Sequence, residues 1–370
     1  MRRALQLRAA EGTARRAVVS RASSHLRPLD LKRGRVEMSH GGGGRASAQL
    51  VDELFAPAFD NASLNPGNDG ALLPSPAPGH RLVFSTDTHV ISPLFFPGGD
   101  IGSLSVHGTI NDVAMMGATP VALAAGFVLE EGLELAQLAR IVESMAAAAR
   151  AAGVPVAAGD TKVVERGKGD GVFITTTGIG TVPSARVIGG QCARPGDAVL
   201  VSGTIGEHGI AVLSRRESLE FETKIVSDSA ALHGLVAALL AALPEGAVHV
   251  LRDPTRGGLA ATLNEIAQQS DAGIVLQEAA IPVQPEVAGA CEFLGLDPLH
   301  VANEGKLVAM VAPGAEQAAL EALRAHPLGR SAARIGEVVE DPLRFVQMVT
   351  RLGGRRLVDW LTGEQLPRIC

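Results

Sequence analysis

The sequence contains few aromatic residues and few cysteines. Only 3% of its 370 residues are aromatic, with one Trp and no Tyr. Ala, Gly, Val and Leu must therefore fill the cores, which suits helices packed closely on sheets. The three cysteines are widely spaced and form no C-x-x-C pair, so we expect neither a disulfide framework nor a zinc site. This usage is typical of a reducing compartment, and we expect the protein in the cytoplasm.

Long apolar runs are also missing. No run reaches the roughly 18 apolar residues of a membrane-spanning helix, so no membrane partner is expected. The first 37 residues are basic, with ten Arg and Lys against three acidic residues. Because the whole chain carries a formal charge of -6, the remainder is strongly acidic, which argues against nucleic acid as a partner. We predict that residues 1–34 form a disordered extension; an arm attracted to RNA or to a membrane is the open alternative.

Helical and strand patterns alternate along the chain, while Gly-rich fingerprints of the P-loop and Rossmann types are absent. This alternation predicts an α+β protein in which helices pack on one face of each mixed sheet. A Pro-Gly-Asp turn at 195–197 precedes a restart of the pattern. We therefore predict an N-terminal domain over 35–190, a C-terminal α/β domain over 191–350 and a mobile tail over 351–370.

Individual elements follow from apolar periodicity. It predicts a strand over 81–91 and a long helix that Gly153 ends. Beyond the turn, it predicts a strand over 198–202 and a helix over 257–269. The tail is predicted to hold one short amphipathic turn, formed by Leu357, Trp360 and Leu361, and to be mobile beyond Gly363.

Aspartates stand at the ends of several apolar runs. Asp87 lies in FSTDTHV, Asp112 in NDVAMMG and Asp253 in LRDPTRGG, and Asp69 and Asp160 have similar settings. Carboxylate oxygens beside small residues are the ligands that magnesium-bound phosphates need. Each aspartate alone could equally cap a helix or close a turn. The five together predict a site for a nucleotide and magnesium.

Two glycine-containing motifs could bind the phosphates. The run SHGGGG includes Gly42, Gly43 and Gly44, whose backbone N–H groups could wrap an anion; a flexible linker is the alternative. In DPTRGGLAATL, a Gly pair opens a predicted helix whose N-terminal N–H groups could meet an anion.

Lys162 and Glu304 are candidate proton-transfer residues. Lys162 follows Asp160 and Thr161 at an apolar strand end, where it could act as a base or neutralise a phosphate. Glu304 precedes a predicted strand, and burial would raise its pKa. The alternatives are a rim lysine paired with Glu165 and a loop carboxylate paired with a neighbouring lysine.

The cysteines and histidines divide into structural residues and one exception. Cys192 lies beside a turn and Cys291 within a helical pattern, so both are predicted to be structural. The histidines show no metal-ligand spacing and are also predicted to be structural, including His89, His107 and His208. Cys370 instead ends the chain, and its neighbouring carboxylate does not activate a thiol in water. Activation of Cys370 would require a docking pocket.

Seven motifs together resemble the HypE family of hydrogenase maturation proteins: HGGGG, FSTDTHVISPLFFPGGDIG, NDVAMMGATP, AGDTKVVERG, LRDPTRGG, ANEGKL and PRIC. The resemblance runs from about residue 35 to residue 370, and the PRIC ending makes it specific. The body motifs are shared with a wider group of ATP-using enzymes that includes aminoimidazole ribonucleotide synthetase and selenophosphate synthetase. The basic extension is not part of the family pattern.

The resemblance implies a fold and an activity. It implies two α/β domains of the aminoimidazole ribonucleotide synthetase-like type, a homodimer formed through N-terminal strands, and ATP bound at the interface. Cys370 is expected to receive a carbamoyl group from a HypF-like carbamoyltransferase, and ATP to drive dehydration of the S-carboxamide to a thiocyanate. The cyanide is then expected to pass to iron held by a HypC–HypD complex, for the [NiFe] hydrogenase centre.

The resemblance also implies roles for the candidate residues. Lys162 and Glu304 are expected to flank the docked tail and to remove protons, with Cys370 as the carrier. Magnesium is expected on Asp69, Asp87, Asp112 and Asp253. The ATP site is expected to comprise Gly42, Gly43, Gly44, Asp69, Asp87, Asn111, Asp112, Asp160 and Thr161. In the tail, Pro367 would stiffen the approach, Arg368 pair with an acidic wall and Ile369 fill an apolar slot.

Two other functions remain open from the sequence. One is an ATP-dependent synthetase of the wider group that acts on a free small molecule and does not need the tail. The other is a non-catalytic assembly protein whose tail only docks partners.

Overall fold

The computed structural model describes residues 27–66, 68, 70–219, 225–361 and 368–370. Its strands are β1 (His80–His89), β2 (Phe95–Phe96), β3 (Gly99–Asp100), β4 (Thr119–Glu130), β5 (Val156–Val164), β6 (Val172–Pro183), β7 (Ala198–Val201), β8 (Val248–Arg252), β9 (Gly273–Gln277), β10 (Val308–Val311), β11 (Ala333–Val339), β12 (Val346–Val349) and β13 (Arg355–Leu357). Its α-helices are α1 (Arg45–Leu50), α2 (Ala56–Ala58), α3 (Ile101–Met115), α4 (Leu135–Ala152), α5 (Glu207–Arg216), α6 (His233–Ala242), α7 (Gly258–Ser270), α8 (Pro285–Leu294) and α9 (Glu316–Ala325).

The first sheet has four strands in the order β1-β6-β4-β5. Strand β6 is antiparallel to both of its neighbours, and β5 runs parallel to β4 through the crossover helix α4. Helix α3 begins where the Asp100 side chain accepts from the N–H groups of Gly102 and Ser103. As the sequence predicted, helix α4 ends at Gly153, which has a left-handed φ of 68°.

Helix α3 lies unusually close to β6 because glycines face it. A Cβ atom on Gly180 would lie 2.4 Å from Val113 of α3, and one on Gly178 would lie 2.8 Å from Thr109. Only glycine permits this approach of helix to strand. The close packing fixes α3, and with it Asp112, against the β1 edge of the sheet.

The opposite face of the first sheet is open. Side chains alternate along β1, so Leu82 and Phe84 point away from α3 and are 62% and 70% exposed. Val128 of β4 is exposed on the same face. Leu82 and Phe84 lie two residues apart on β1, and neighbouring exposed apolar side chains of this kind are typical of an interaction surface.

The second sheet has seven strands in the order β13-β12-β9-β11-β7-β10-β8. Helix α7 covers one face, where Leu263 packs with Val199 and Val250. Helices α6 and α9 cover the other face, where Leu235 packs with Leu200. The prediction of mixed sheets is confirmed. The prediction that helices cover only one face of each sheet is correct for the first sheet and wrong for the second. Strands such as Ala-Val-Leu-Val are apolar throughout because both of their faces are buried.

The helix and strand boundaries predicted from the sequence agree with the structure for most of the elements compared, but not in the tail. The strands predicted over 81–91 and 198–202 are β1 and β7, and the helix over 257–269 is α7. The predicted turn around Leu357 is wrong, because Arg355–Leu357 forms β13 and pairs with β12. Val358 then enters the core, and its N–H donates to Val346 O at 2.8 Å. The second sheet therefore extends past the predicted start of the tail at 351.

The segment beyond Gly363 was predicted to be mobile, and its residues 364–367 lie outside the described residues. The last three residues do not follow that prediction in this structure, because Arg368–Cys370 are docked on the first domain. Within the described part of the chain, no helix combines the length and apolarity needed to cross a bilayer.

Candidate active site around Cys370

The end of the chain lies along the segment that follows β1. Val90 N–H donates to the backbone oxygen of Cys370 at 3.0 Å, and Ser92 N–H donates to that of Arg368 at 3.2 Å. The two bonds have the spacing of an antiparallel ladder. They place the Cys370 side chain beside the end of β1.

The side chains of the tail are also bound. Arg368 forms an ion pair with Asp170, in the loop between β5 and β6. Ile369 is 2% exposed and packs in the core of the first domain. The acidic partner predicted for Arg368 and the apolar slot predicted for Ile369 are both confirmed.

The Cys370 thiol lies among carboxylates from both domains. Burial raises the pKa of this thiol most, and Glu304 raises it further. Arg256 lowers the pKa, while Asp87 and Asp253 raise it. We call Asp87, Asp112, Asp253, Glu304 and Cys370 the Cys370 cluster.

Glu304 is held in a buried loop before β10. Its N–H and that of Gly305 donate to the two carboxylate oxygens of Asp228, at 3.2 and 3.1 Å. A Cβ on residue 305 would lie 1.8 Å from Asp228 O, so only glycine fits there. Burial, and then Asp253, raise the pKa of Glu304 well above its usual value. Among the described residues, Glu304 Oε1 has no hydrogen-bond partner, so it is free to accept a proton from a ligand.

The aspartates of the Cys370 cluster interact with one another. Burial raises the pKa of Asp112 to about 6, against a 2.9 Å hydrogen bond from Ser85 Oγ. Burial and the charge of Asp112 raise the pKa of Asp253 to about 7. Asp253 follows β8 and precedes α7, so the predicted helix start does lie beside the cluster.

This donor set fits a divalent cation electrostatically. Asp87, Asp112 and Asp253 offer hard oxygens whose negative charges are mutually destabilising, and a cation would relieve that repulsion. The described residues contain no ready-made group of three ligands, so phosphate oxygens and water would have to complete the coordination. Asp69, the fourth predicted magnesium ligand, lies outside the described residues.

Arg256 is a residue that sequence reasoning missed as a candidate. It lies in the DPTRGG segment between β8 and α7, and its positive charge acts on the Cys370 thiol. The segment was noted only for its glycines. The available signal was an arginine two residues before the helix whose N-terminus was expected to meet an anion.

Asn111, predicted to bind ATP, is buried between the domains. Its side-chain N–H group donates to Ala230 O at 3.0 Å and to Glu304 O at 3.4 Å, and its Oδ1 accepts from Leu232 N–H at 2.7 Å. Asn111 therefore ties α3 to the segment before α6 and to the Glu304 loop.

Asp160, Thr161 and Lys162 lie elsewhere, on strand β5; we call them the β5 edge. Asp87 on β1 is in register with Gly159 on β5, three strands away. At the usual strand spacing, the backbones of these two residues are roughly 14 Å apart. Asp87 faces α3, whereas Asp160 and Lys162 alternate onto the open face. Within one chain, the structure does not bring the β5 edge to the Cys370 cluster.

The predicted apolar setting of Lys162 is wrong. The Lys162 side chain is 65% exposed, and its Nζ lies 2.8 Å from Asp160 Oδ2. The hydrogen bond from Lys162 lowers the pKa of Asp160. The strand looked apolar in sequence because Val163, on its other face, packs against the core of the first domain.

The Gly42–Gly44 loop accompanies the β5 edge. The preceding Gly41 packs on Val163 of β5, where a Cβ would lie 2.7 Å from the backbone nitrogen. Gly43 has a left-handed φ of 74°, and its N–H donates to Ser47 Oγ at 2.9 Å. The predicted phosphate loop therefore lies against β5, the strand that carries Lys162, and β5 is three strands from β1 and its Asp87.

Two histidines that were predicted to be structural touch the site. His208 Nε2 lies 2.8 Å from Ile369 O, and His89 Nε2 lies 3.2 Å from Asp87 Oδ2. His107 instead contacts Ser229 Oγ at 3.0 Å, and burial lowers its pKa to about 4. No sequence spacing could have identified His208, because its partner is 161 residues away.

Family models match both halves of the chain. The N-terminal domain of AIR synthase related proteins matches residues 67–182, and the C-terminal domain matches residues 194–348. Carbamoyl dehydratase HypE of Cupriavidus necator is 69% identical over 346 residues, covering 94% of this chain and 98% of the relative. Carbamoyl dehydratase HypE of Escherichia coli is 49% identical over 338 residues, covering 90% and 99%.

Solved structures agree with these relatives. Hydrogenase maturation protein HypE in complex with ATP has a TM-score of 0.86 at 51% identity, over 90% of this chain and 99% of that chain. A HypE–HypF complex has a TM-score of 0.74 at 48% identity, over 84% and 99%. The two domains, the docked tail and these matches confirm the predicted resemblance: the chain belongs to the carbamoyl dehydratase HypE family of AIR synthase related proteins.

Proposed function

We propose that this chain is an ATP-dependent carbamoyl dehydratase whose substrate is carried on its own C-terminal cysteine. The observation that carries the proposal is the position of the Cys370 thiol, docked beside Glu304 and the aspartates of the Cys370 cluster. A free-substrate synthetase would not need its own terminus there. The tether replaces binding affinity with a high effective concentration.

The reaction transfers a phosphoryl group from ATP to the carbamoyl oxygen of Cys370–S–C(=O)–NH₂, with loss of one proton from nitrogen. Loss of phosphate and of the second proton then leaves Cys370–S–C≡N. Glu304 suits removal of these protons, because a carboxylate with a raised pKa is a stronger base. Arg256 suits the charge that develops on the oxygen.

Magnesium would be held by Asp87, Asp112 and Asp253, with Asp69 as a further candidate from the sequence. When bound, it would neutralise charge on the transferring phosphoryl group. The raised pKa values of Asp112 and Asp253 support a cation, because its binding would stabilise their ionised forms.

Loading of the carbamoyl group is proposed to occur with the tail undocked. The thiolate is the nucleophile, and the surroundings of docked Cys370 raise the thiol pKa. A HypF-like carbamoyltransferase is the proposed donor, supported by the solved HypE–HypF complex of a relative. A HypC–HypD complex is the proposed cyanide acceptor, in a reducing cytoplasm that keeps Cys370 free.

A homodimer is proposed to complete the site. The open face of the first sheet exposes Leu82 and Phe84, which a second copy could cover. The β5 edge and its glycine loop lie on the side away from the Cys370 cluster. A second copy could therefore bring its Lys162 and phosphate loop to the Cys370 of the first.

Mass spectrometry of the intact chain tests this function. With a carbamoyl donor system and ATP, we expect Cys370 to gain a carbamoyl group and then to lose one water. Without ATP the reaction should stop at the carbamoyl adduct. Cys370→Ala should gain neither product, yet bind ATP with unchanged affinity, and Cys192→Ala serves as the matched control. Water loss without ATP would refute the proposal.

A further inference from the structure

The base of the proposed dehydration is followed, two residues later, by a lysine that does not pair with it. Lys306 Nζ instead lies 3.3 Å from Asp228 Oδ2. We propose that Asp228 and Lys306 are positioning residues, and that their ion pair holds the Glu304 carboxylate in place beside the Cys370 thiol. This role rests on the proposed function, in which Glu304 is the base.

The ion pair between Lys306 and Asp228 is nearly buried. Their side chains are 12% and 3% exposed. The Lys306 stem crosses Gly203, where a Cβ atom would lie only 3.1 Å from Lys306 Cε. Loss of one partner of a buried pair leaves an uncompensated charge, so each of the two side chains fixes the other.

Asp228 carries this constraint to the Glu304 loop. Its Oδ1 accepts from Glu304 N–H, and its Oδ2 accepts from Gly305 N–H and faces Lys306. Hydrogen bonds to an ionised group are stronger than neutral ones and fix direction as well as distance. Rotation of the Asp228 carboxylate would break both bonds to the loop and would therefore move Glu304.

The segment that carries Asp228 is itself fixed to the first domain. Ser227 N–H, one residue earlier, donates to Pro97 O between β2 and β3 at 2.9 Å. Cys370 is docked on the same domain, whereas Glu304 lies just before β10 of the second sheet. Asp228 therefore sets the position of the base relative to the domain that holds its substrate.

The same pair keeps the lysine away from the base. Among the described residues, Glu304 Oε1 has no hydrogen-bond partner. A lysine paired with Glu304 would stabilise the ionised carboxylate and lower its pKa, which would make it a weaker base. Because Asp228 binds the ammonium group, Lys306 orders the loop and still leaves Glu304 unpaired.

An open cavity gives solvent access to the pair. It has a volume of about 260 Å³, and its lining includes Gly203, Asp228, Gly305 and Lys306. Shortening Lys306 would extend this cavity toward Asp228. A small primary ammonium ion could then take the place of Nζ, so the charge can be tested separately from the covalent side chain.

Single-turnover dehydration of carbamoylated Cys370 tests the pair in the full-length chain. Lys306→Met keeps the stem and removes the charge, and it should slow dehydration about a hundredfold, because small displacements of catalytic groups are costly. Carbamoylation and ATP affinity should not change, and exposed Lys32→Met is the matched control. A wild-type rate in Lys306→Met would overturn the inference. A wild-type chain that is carbamoylated but loses no water would instead reject the proposed function.

Chemical rescue separates positioning by charge from a general loss of structure. Ethylammonium should speed dehydration by Lys306→Ala about tenfold, which corresponds to one hydrogen bond to a charged group. It should not speed dehydration by wild type or by Glu304→Gln. Tetramethylammonium has the same charge but no N–H donor, so it should have no effect. Equal acceleration by both ions, or none by ethylammonium, would contradict the role given to Lys306.

Hydrogen exchange of the Glu304 loop gives a readout that does not require catalysis. The amides of Glu304 and Gly305 should exchange about tenfold faster in Asp228→Asn and in Lys306→Met, while strands β8 and β9 stay within about twofold of wild type. Unchanged loop exchange in both variants, or faster exchange throughout the second sheet, would overturn the inference. If a single variant does not fold, the double variant, which buries no unpaired charge, decides by the same measurement.

Discussion

The Cys370 cluster and the β5 edge both combine acidic side chains with one functional group, but in opposite surroundings. Glu304 is 3% exposed, and burial and then the nearby carboxylates raise its pKa. Lys162 is 65% exposed and its charge is balanced locally by Asp160. Charges that lie close together interact strongly when they are buried and can then change one another's pKa values. On an open strand, water screens the same interactions. The β5 edge therefore needs a covering surface before it can act.

Replacing Glu304 should have the largest effect. Glu304→Gln keeps the shape and removes the base, so dehydration should fall about a hundred- to ten-thousand-fold. Carbamoylation and ATP affinity should not change. The measurement is single-turnover conversion of carbamoylated Cys370, with exposed Glu165→Gln as the control. Full activity in Glu304→Gln would show that the buried Glu304 carboxylate is not the base in dehydration.

Arg256 gives the next largest effect. Arg256→Ala should slow dehydration about a hundred- to thousandfold, as expected for loss of one group that stabilises developing charge. Arg256→Lys should recover part of the rate because the charge remains. The same single-turnover assay applies, with exposed Arg330→Ala as control. An equal loss in the Lys and Ala variants would indicate that geometry, not charge, is required.

Mixing two inactive variants tests whether the β5 edge acts across a dimer. Lys162→Ala and Cys370→Ala should each be inactive alone. After random reassociation, half of the dimers are mixed and each has one complete site, so about a quarter of wild-type activity should return. The measurement is thiocyanate formed per chain. Without recovery, despite subunit exchange seen by native mass spectrometry, Lys162 does not act across the interface.

The smallest effect concerns stability. Burial raises the pKa of Asp253 from 3.8 to about 7. A carboxyl raised in this way contributes stability that is complete below its unfolded pKa and is lost as pH rises toward about 7. Asp253→Asn should therefore gain on the order of 1–3 kcal/mol above about pH 7 and nothing near pH 4.

Thermal unfolding at both pH values checks this, with exposed Asp60→Asn as the control. Magnesium should stabilise wild type above neutral pH more than it stabilises Asp253→Asn. A gain in Tm that is independent of pH would show that the ionisation of Asp253 is not its source.

Local sequence patterns predicted much of the fold. The helix ending at Gly153 and strands β1 and β7 follow from periodicity and caps, which depend on neighbours in sequence. The turn around Leu357 failed because β13 exists only through its pairing with β12. The prediction that only one face of the second sheet is covered was wrong, because α6 and α9, which are distant in sequence, pack on its other face.

The chemical groups were also predictable, but their grouping was not. Asp87, Asp112, Asp253, Glu304 and Cys370 were all candidates from their settings in sequence. His208 and Arg216 were missed because their contacts are with the main chain of a remote segment, which leaves no spacing to read.

The sequence by itself determined which side chains are available, the two-domain order and the cysteine at the end of the chain. Tertiary structure alone decided that Lys162 faces solvent while Glu304 is buried. Lys162 lies on a strand, where one residue of register sends a side chain to the opposite face and only packing determines which face is covered. Glu304 lies in a loop, which is buried because the remote Asp228 carboxylate binds its backbone N–H groups.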